Sequence, residues 1–376
     1  MAEPFKNLLN LKIIKGMASH FAVQWPEFDS AGFIKVAGHR LKTLELKARS
    51  RQITDAMKQY LPEDYSHAVD IMLNSLAEDD ECHLSETEMT RGGIAGWAVM
   101  PMADYVGLYG QGHFDLSMSV LKEMTKRFSS EFAIRFFILA DMKRSLRYLN
   151  DWAQEDNYHV RRLVSEGSRP RLPWAMQLGD FVKDPAPILP LLEQLKDDES
   201  EYVRRSVANS LNDIAKDHPA LVAKIARRWM KGGSPARQKL VRHGCRTLIK
   251  QGHVATLGAL GYGPPKVSLQ QLRLLTSEVR YGEALQFELV VSSTAKKDQP
   301  LIIDYIVHHQ KANGTTTPKV FKWKNLTLAA GQSRTMQRKH AIKPITTRVY
   351  YPGLHGLEVV VNGLSLGKVE FELLMG

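Results

Sequence analysis

The sequence predicts a mainly α chain that closes on an all-β domain, and three observations predict it. Apolar residues recur at spacings of three and four from about residue 5 to residue 256, a Gly/Pro-rich stretch occupies 258–267, and beyond it the period changes to two.

The helical part comes first. LKTLELKARSRQITDAMKQYL, YSHAVDIMLNSL, LSMSVLKEMTKRF and EFAIRFFILADMKRSLRYLNDWAQ each carry an apolar stripe at helical spacing. Self-similarity runs through its later portion. VRRLVSEGSRPRL from Val160 lies on VRRSVANSLNDIA from Val203 and on ARQKLVRHGCRTLIK from Ala236, which puts Arg161, Arg204 and Arg237 in register at offsets of 43 and 33 residues. Such offsets suit degenerate two-helix repeats of the HEAT kind, so a HEAT-like helical-repeat solenoid is expected over 1–257, its concave groove striped by the repeated arginine.

The stretch GALGYGPPKV at 258–267 reads as a linker. After it ALQFELVVSS, PLIIDYIVHHQ, KVFKWKNLTL, HGLEVVVNG and LGKVEFELL alternate as strands do, with Asn313-Gly314 and Asn362-Gly363 as hairpin turns. Roughly seven strands are expected over 268–376, the pattern of an immunoglobulin-like β-sandwich. That segment has no cysteine, so the inter-sheet disulfide of antibody domains is excluded.

Composition narrows the class. At 376 residues, 44% hydrophobic and 24% charged, the chain is ordinary for a soluble protein of more than one domain. Cys82 and Cys245 stand far apart, so neither a disulfide framework nor a cysteine-built zinc site is expected, and a reducing, cytoplasmic compartment fits. The start MAEPFKNLLNLKIIKGMASHF does not read as a secretory signal, and the most apolar window, 92–110, is interrupted by Pro101 and Asp104, so no membrane span is expected. Residues 1–120 hold 11 Lys/Arg against 16 Asp/Glu, residues 121–253 hold 25 against 16, and residues 254–376 hold 15 against 8. The basic middle and end point to an anionic partner, nucleic acid first.

Chemistry concentrates in HVRRLVSEGSRPRLPW at 159–174, where Arg161, Arg162, Arg169 and Arg171 surround one carboxylate, Glu166, ahead of Trp174. One reading is a solvated helix with an Arg162/Glu166 pair at i,i+4, followed by a proline turn. The other is a groove that grips phosphates through Arg161, Arg162, Arg169, Arg171, Arg204, Arg205, Arg237, Lys239 and Arg242, with Glu166 free to stabilise a cationic transition state. Glu131 follows Ser129 and Ser130, either of which reads as a helix N-cap with the acid in the first turn. Asp213 could cap, pair or face the groove. Trp174 could pack in the core or wall a sugar or base. Walker, zincin, nucleophile-elbow and EF-hand motifs are absent, and His308 and His309, adjacent in a strand, face opposite sides. No cofactor or metal is implied.

The string RRLVSEGSRPRLPW, with SSEFAIRFF before it and DDESEYVRRSVANSLNDIAKDHP after it, resembles the AlkC-type DNA glycosylases of alkylation repair, a branch of the HEAT-repeat glycosylases. The resemblance runs to about residue 256, and the added β-domain matches the longer form of that family. It implies a monofunctional, monomeric base-excision enzyme acting on double-stranded DNA and hydrolysing the N-glycosidic bond to 3-methyladenine and 3-methylcytosine, without full base flipping. It further implies that Glu166 and Trp174 sit beside the damaged nucleotide, with Glu131 and Asp213 completing an acidic pocket. The competing expectation is a non-catalytic HEAT scaffold that binds nucleic acid or an acidic protein.

Overall fold

The computed structural model describes residues 4–79, 92–346 and 348–375; Cys82 lies outside them. The chain divides into two compact units, Met1–Asp217 and His218–Gly376.

The first unit is helical: α1 (Leu11–Gln24), α2 (Ser30–Ala37), α3 (Leu46–Tyr60), α4 (Tyr65–Asn74), α5 (Val99–Tyr109), α6 (Phe114–Thr125), α7 (Ile134–Ala140), α8 (Met142–Trp152), α9 (Tyr158–Gly167), α10 (Gly179–Lys183), α11 (Leu189–Leu195) and α12 (Glu201–Asp217). Their starts are chemically marked. The side chains of Asn10, Asp29, Asp64, Asp141 and Asn157 each accept from a backbone N–H in the first turn, satisfying donors that the helix itself leaves unpaired. The apolar window at 92–110 is mostly the buried helix α5, with Pro101 in its first turn, where a missing N–H costs nothing. No helix among the described residues is long and apolar enough to cross a membrane.

Helices α9 and α12 form the part that matters for the site. Arg162 packs on the Tyr202 ring, Ser165 Oγ lies 2.7 Å from Ser206 Oγ, and Arg169 reaches Asp213, so both residue numbers rise together along the contact. The two helices therefore run in the same direction, about 43 residues apart. A shared device accompanies this. Arg161 Nη1 donates to the carbonyls of Glu155 (2.9 Å) and Asp156 (2.7 Å), and Arg204 Nη1 donates to those of Asp198 and Glu199, so each arginine ties down the loop leading into its own helix. The register seen in the sequence is thus a register of loop fasteners in this unit.

The segment before α7 corrects one expectation. Neither Ser129 nor Ser130 caps the helix, which begins at Ile134 after a turn over 131–133. Ser130 Oγ instead donates to the Leu121 carbonyl, and Ser129 Oγ donates to Glu131 Oε2 at 2.9 Å. Glu131 is thereby released from a helix-dipole role.

The second unit opens with α13 (Pro219–Met230), α14 (Pro235–Gly244), α15 (Arg246–Lys250) and α16 (Val254–Ala259), the first two starting on proline. Strands follow: β1 (Val267–Leu274), β2 (Glu278–Arg280), β3 (Ala284–Ser293), β4 (Gln299–Gln310), β5 (Thr316–Leu328), β6 (Ser333–Ala341), β7 (Gly353–Val361) and β8 (Leu364–Leu374). The secondary structure changes over 260–266, inside the expected linker, while compactness divides the chain earlier. Eight strands stand among the described residues where seven were expected, because β2 is three residues long and pairs parallel to β8, too short for alternation to reveal.

The strands form a three-stranded sheet in the order β1-β3-β6 and a five-stranded sheet in the order β2-β8-β7-β4-β5. Both contribute to one interior. Leu285 and Phe287 of β3 pack with Tyr305, Val307, Leu357, Phe371 and Leu373 of the larger sheet, and Leu289 and Val291 of β3 pack with its Val359. Asn362 (φ 45°) and Gly363 (φ 81°) form the two-residue β7–β8 hairpin, with positive φ at both central positions as such turns require. A Cβ on Gly252 would come within 2.8 Å of Gly363 Cα, so the chain after α15 meets this hairpin backbone to backbone.

Candidate active site

The site grows from the end of α9. Gly167 closes the helix against α7, where a Cβ would meet Ile134 Cγ2 at 2.7 Å. From α7 the wholly buried Arg135 sends Nη1 to the carbonyls of Gly167 (2.9 Å) and Arg169 (2.8 Å) and Nε to that of Met176 (2.8 Å). One guanidinium therefore satisfies carbonyls that α9 and the following turn leave without partners. Burial and the neighbouring Arg169 push its pKa down to about 10. The turn then reads alternately: Leu172 goes inward, Arg171 makes a two-pronged pair with Asp217 (2.8 Å and 2.8 Å), and Trp174 stands 61% exposed at φ 64°, in the left-handed region. Its carbonyl accepts from Lys47 Nζ of α3.

Of the four arginines near Glu166, two touch it. Arg169 Nη1 lies 2.6 Å from Glu166 Oε1 and Arg162 Nη2 lies 3.5 Å from it, so the i,i+4 pair expected from sequence is the longer contact. Arg162 also pairs with Glu131, and Arg169 Nε reaches Asp213 Oδ2 at 2.8 Å. Three carboxylates and two guanidiniums thus interlock, leaving one net negative charge before Lys216, half-exposed and 3.1 Å from Asp213, is counted. Burial alone would raise the pKa of Glu166, but Arg162, Arg169 and a Ser206 hydrogen bond outweigh it and hold the carboxyl below its ordinary range. Glu131 and Glu166 together raise Arg162 against its own desolvation.

A cavity of about 330 Å³ opens over this network. Glu131, Arg162, Glu166 and Arg169 line its floor, Tyr202 covers Arg162 with the guanidinium 5.0 Å from the ring centre, and Trp174 stands at its rim. Trp97 and Phe128 continue that rim, 5.0 Å apart, and Phe5 bridges Trp97 (5.8 Å) to Trp174 (6.1 Å). The chemistry available is an ionised carboxylate in a desolvated pocket ringed by flat apolar surfaces.

The structure brings Glu166, Glu131 and Trp174 to one cavity and puts Asp213 behind it, on the far side of Arg169. The arginines it redistributes. Arg161 holds Asp198 through Nε (2.6 Å) and Nη2 (3.1 Å), Arg162 and Arg169 hold carboxylates, Arg171 holds Asp217 and Arg204 holds carbonyls. These five were read from sequence as phosphate contacts, and each also holds a partner within the protein, Arg204 through Nη1 alone. Arg205 is 64% exposed, 3.6 Å from Glu201, while Arg237, Lys239 and Arg242 lie on α14 of the second unit. His308 and His309 face opposite ways as expected, His308 pairing with Glu358 at 2.8 Å and His309 buried.

Sequence reasoning missed Trp97, Phe128, Tyr202, Lys47 and Arg135. Two carried a signal. Tyr202 immediately precedes the repeated VRR, and Arg135 is a lone cation in AIRFFILA, where only a buried clamp explains it.

Comparisons with known proteins give the family. Residues 268–375 match the family described as "Uncharacterised protein YhaZ, C-terminal Ig-like domain". The Uncharacterized protein YhaZ of Bacillus subtilis (strain 168) is 35% identical over 372 residues, 98% of this chain and 99% of its own. The Pseudomonas fluorescens alkylpurine DNA glycosylase AlkC, solved bound to DNA containing an abasic site analog, is 36% identical with a TM-score of 0.87, covering 99% of this chain and 100% of that one. The chain belongs to the AlkC-type family of alkylation-repair DNA glycosylases, in its longer form with a C-terminal immunoglobulin-like domain.

Proposed function

We propose that this protein is a monofunctional DNA glycosylase of base excision repair that hydrolyses the N-glycosidic bond of cationic alkylated bases, 3-methyladenine and 3-methylcytosine, as a cytoplasmic monomer on double-stranded DNA. The single observation that carries the proposal is the ionised Glu166, 6% exposed, at the floor of a pocket with aromatic walls.

The bond between C1′ and the base nitrogen breaks with its electron pair leaving on the base. A base that starts cationic departs neutral and needs no proton. The deoxyribose is left as an oxocarbenium ion, which Glu166 stabilises at close range in low dielectric. Water then adds at C1′ and loses its proton, giving the abasic sugar. Glu131 and Asp213 keep Arg162 and Arg169 in place, and Trp174 packs on the sugar. A groove that reaches the deoxyribose from the backbone side suits excision without full base flipping.

The parallel α9 and α12, with Arg161 and Arg204 as equivalent fasteners, favour the reading of residues 1–257 as stacked HEAT-like pairs joined by the 258–267 linker to the 268–376 sandwich. Arg205, 64% exposed, is then the phosphate contact that the first unit offers. The test is release of free base from DNA treated with a methylating agent. The protein is expected to release 3-methyladenine or 3-methylcytosine, and Glu166→Gln to release it about 10²–10³-fold more slowly while still binding DNA. No release by the unaltered protein would leave the scaffold reading in its place.

A further inference from the structure

A second cleft, of about 620 Å³, lies wholly within the second unit, between α14–α15 and the β4–β5 ribbon. Its walls differ in character from those of the first pocket. Arg242, Lys250 and Lys322 converge on it, all exposed, and among the described residues none of the three enters an ion pair. Asp304 is the acidic group at the site, partly buried on β4, with desolvation raising its pKa against the pull of Lys322 and Lys250. Arg246, also at the cleft, donates to the His243 carbonyl at 2.8 Å. Beside these charges stand flat and apolar surfaces, the Tyr262 ring with the Arg242 guanidinium 5.8 Å from its centre, and the side chains of Ile302 and Val320.

Arg246 keeps its charge when it donates to a carbonyl, so four cations against one carboxylate leave a surplus of three positive charges at the cleft. A phosphodiester inside a nucleic-acid strand carries one negative charge, whereas a phosphomonoester carries about −1.5 to −2 at neutral pH. The volume lies within the range of about 300–1,000 Å³ typical of small-molecule sites. A bare anion would leave the Tyr262, Ile302 and Val320 surfaces uncovered. We propose that this cleft binds a phosphomonoester bearing a flat body, supplied either as a free mononucleotide or as the 5′-phosphorylated end of a DNA strand. The cleft shares no lining residue with the Glu166 pocket, and its binding is measured without base excision.

The test titrates the full chain with dAMP against deoxyadenosine, and with one short single strand carrying either a 5′-phosphate or a 5′-hydroxyl. Preference for dAMP identifies the free nucleotide, and preference only for the phosphorylated strand identifies the strand end. In either case the preference is expected to be about tenfold or more and to disappear in the Lys250→Gln/Lys322→Gln double variant. Both lysines are exposed, and base release from saturating duplex serves as the check that the variant is intact. The proposal is overturned by equal binding of both members of each pair, or by a preference that survives the double variant. Equal weakening of both strands by that variant also overturns it, because the lysines would then be meeting internal diesters.

Discussion

Glu166 and Asp213, 47 positions apart, are held on one side chain: Arg169 gives Nη1 to Glu166 at 2.6 Å and Nε to Asp213 at 2.8 Å. The second carboxylate therefore acts on the first through the guanidinium between them. It anchors Arg169, and Arg169 holds Glu166 ionised.

Arg169→Gln should expose this dependence. Breaking a buried charge pair on one side costs about 3–5 kcal/mol, so the melting temperature of the variant should fall. Its pH–rate profile should change in a definite direction. With its pKa depressed, Glu166 contributes stability above the ordinary carboxylate pKa, lost as pH falls through the lower folded value, and the acid limb of base release lies in that same low window. Removing Arg169 leaves desolvation less opposed, so the limb should move to higher pH. Single-turnover release between pH 3 and 8 reads it, and an unmoved limb would separate Glu166 from the chemistry.

Trp174→Ala should split function from stability in the opposite way. The indole is exposed, so folding stability should change by about 0.5 kcal/mol or less. Aromatic stacking on a nucleotide is worth about 1–3 kcal/mol, so release should slow by about 5- to 160-fold. Parallel calorimetry and excision assays check both numbers.

Arg161 and Arg205, both candidate phosphate contacts by sequence, should behave differently. Arg161→Met removes the partner of the buried Asp198, so it should destabilise by about 3 kcal/mol and leave the salt dependence of DNA binding unaltered. Arg205→Ala should leave the melting temperature alone and lower the salt slope by about one. Affinity measured over a range of salt concentrations distinguishes them.

His309 should make the sandwich acid-sensitive. Both ring nitrogens are buried without a hydrogen-bond partner, and burial, with Arg348, His355, His340 and Lys319 around it, pushes its pKa from 6.5 to about 3. The unfolded chain binds the proton first, so stability is complete above pH 6.5 and declines as pH falls from there towards 3. Thermal unfolding of His309→Leu should show a flatter dependence over that window than the unaltered chain.

The reach of the sequence is clearest in RRLVSEGSRPRLPW, whose Glu166 and Trp174 do share a cavity. Its limits show in the same string. Arg161 and Arg162 are identical neighbours, yet they point about 100° apart around α9. Only the loop before α12 decides that one holds Asp198 and the other enters the pocket. Glu131 was legible as an acid near a helix start, but the turn over 131–133 delays the helix and sends the carboxylate to Arg162. Trp97 sits in an apolar stretch where an aromatic destined for a rim looks no different from one destined for the core, and Phe128 stands alone between Lys126-Arg127 and Ser129-Ser130 with no period to place it. In the β-domain the alternation and the Asn-Gly turns were plain, whereas β2 gains its strand identity from β8 and has no period of its own.

The meeting of Gly252 with Gly363 carries a consequence for variation. Most contacts can be tuned by trading one side chain for another of different size, and a drifting lineage can pass through intermediates. Here a Cβ on Gly363 would fall 2.6 Å from the Gly252 carbonyl oxygen, and both residues hold positive φ, so there is nothing to trade. Such a joint is all or none: it survives substitution elsewhere unchanged, and any residue larger than hydrogen at either position forces the two chain segments apart.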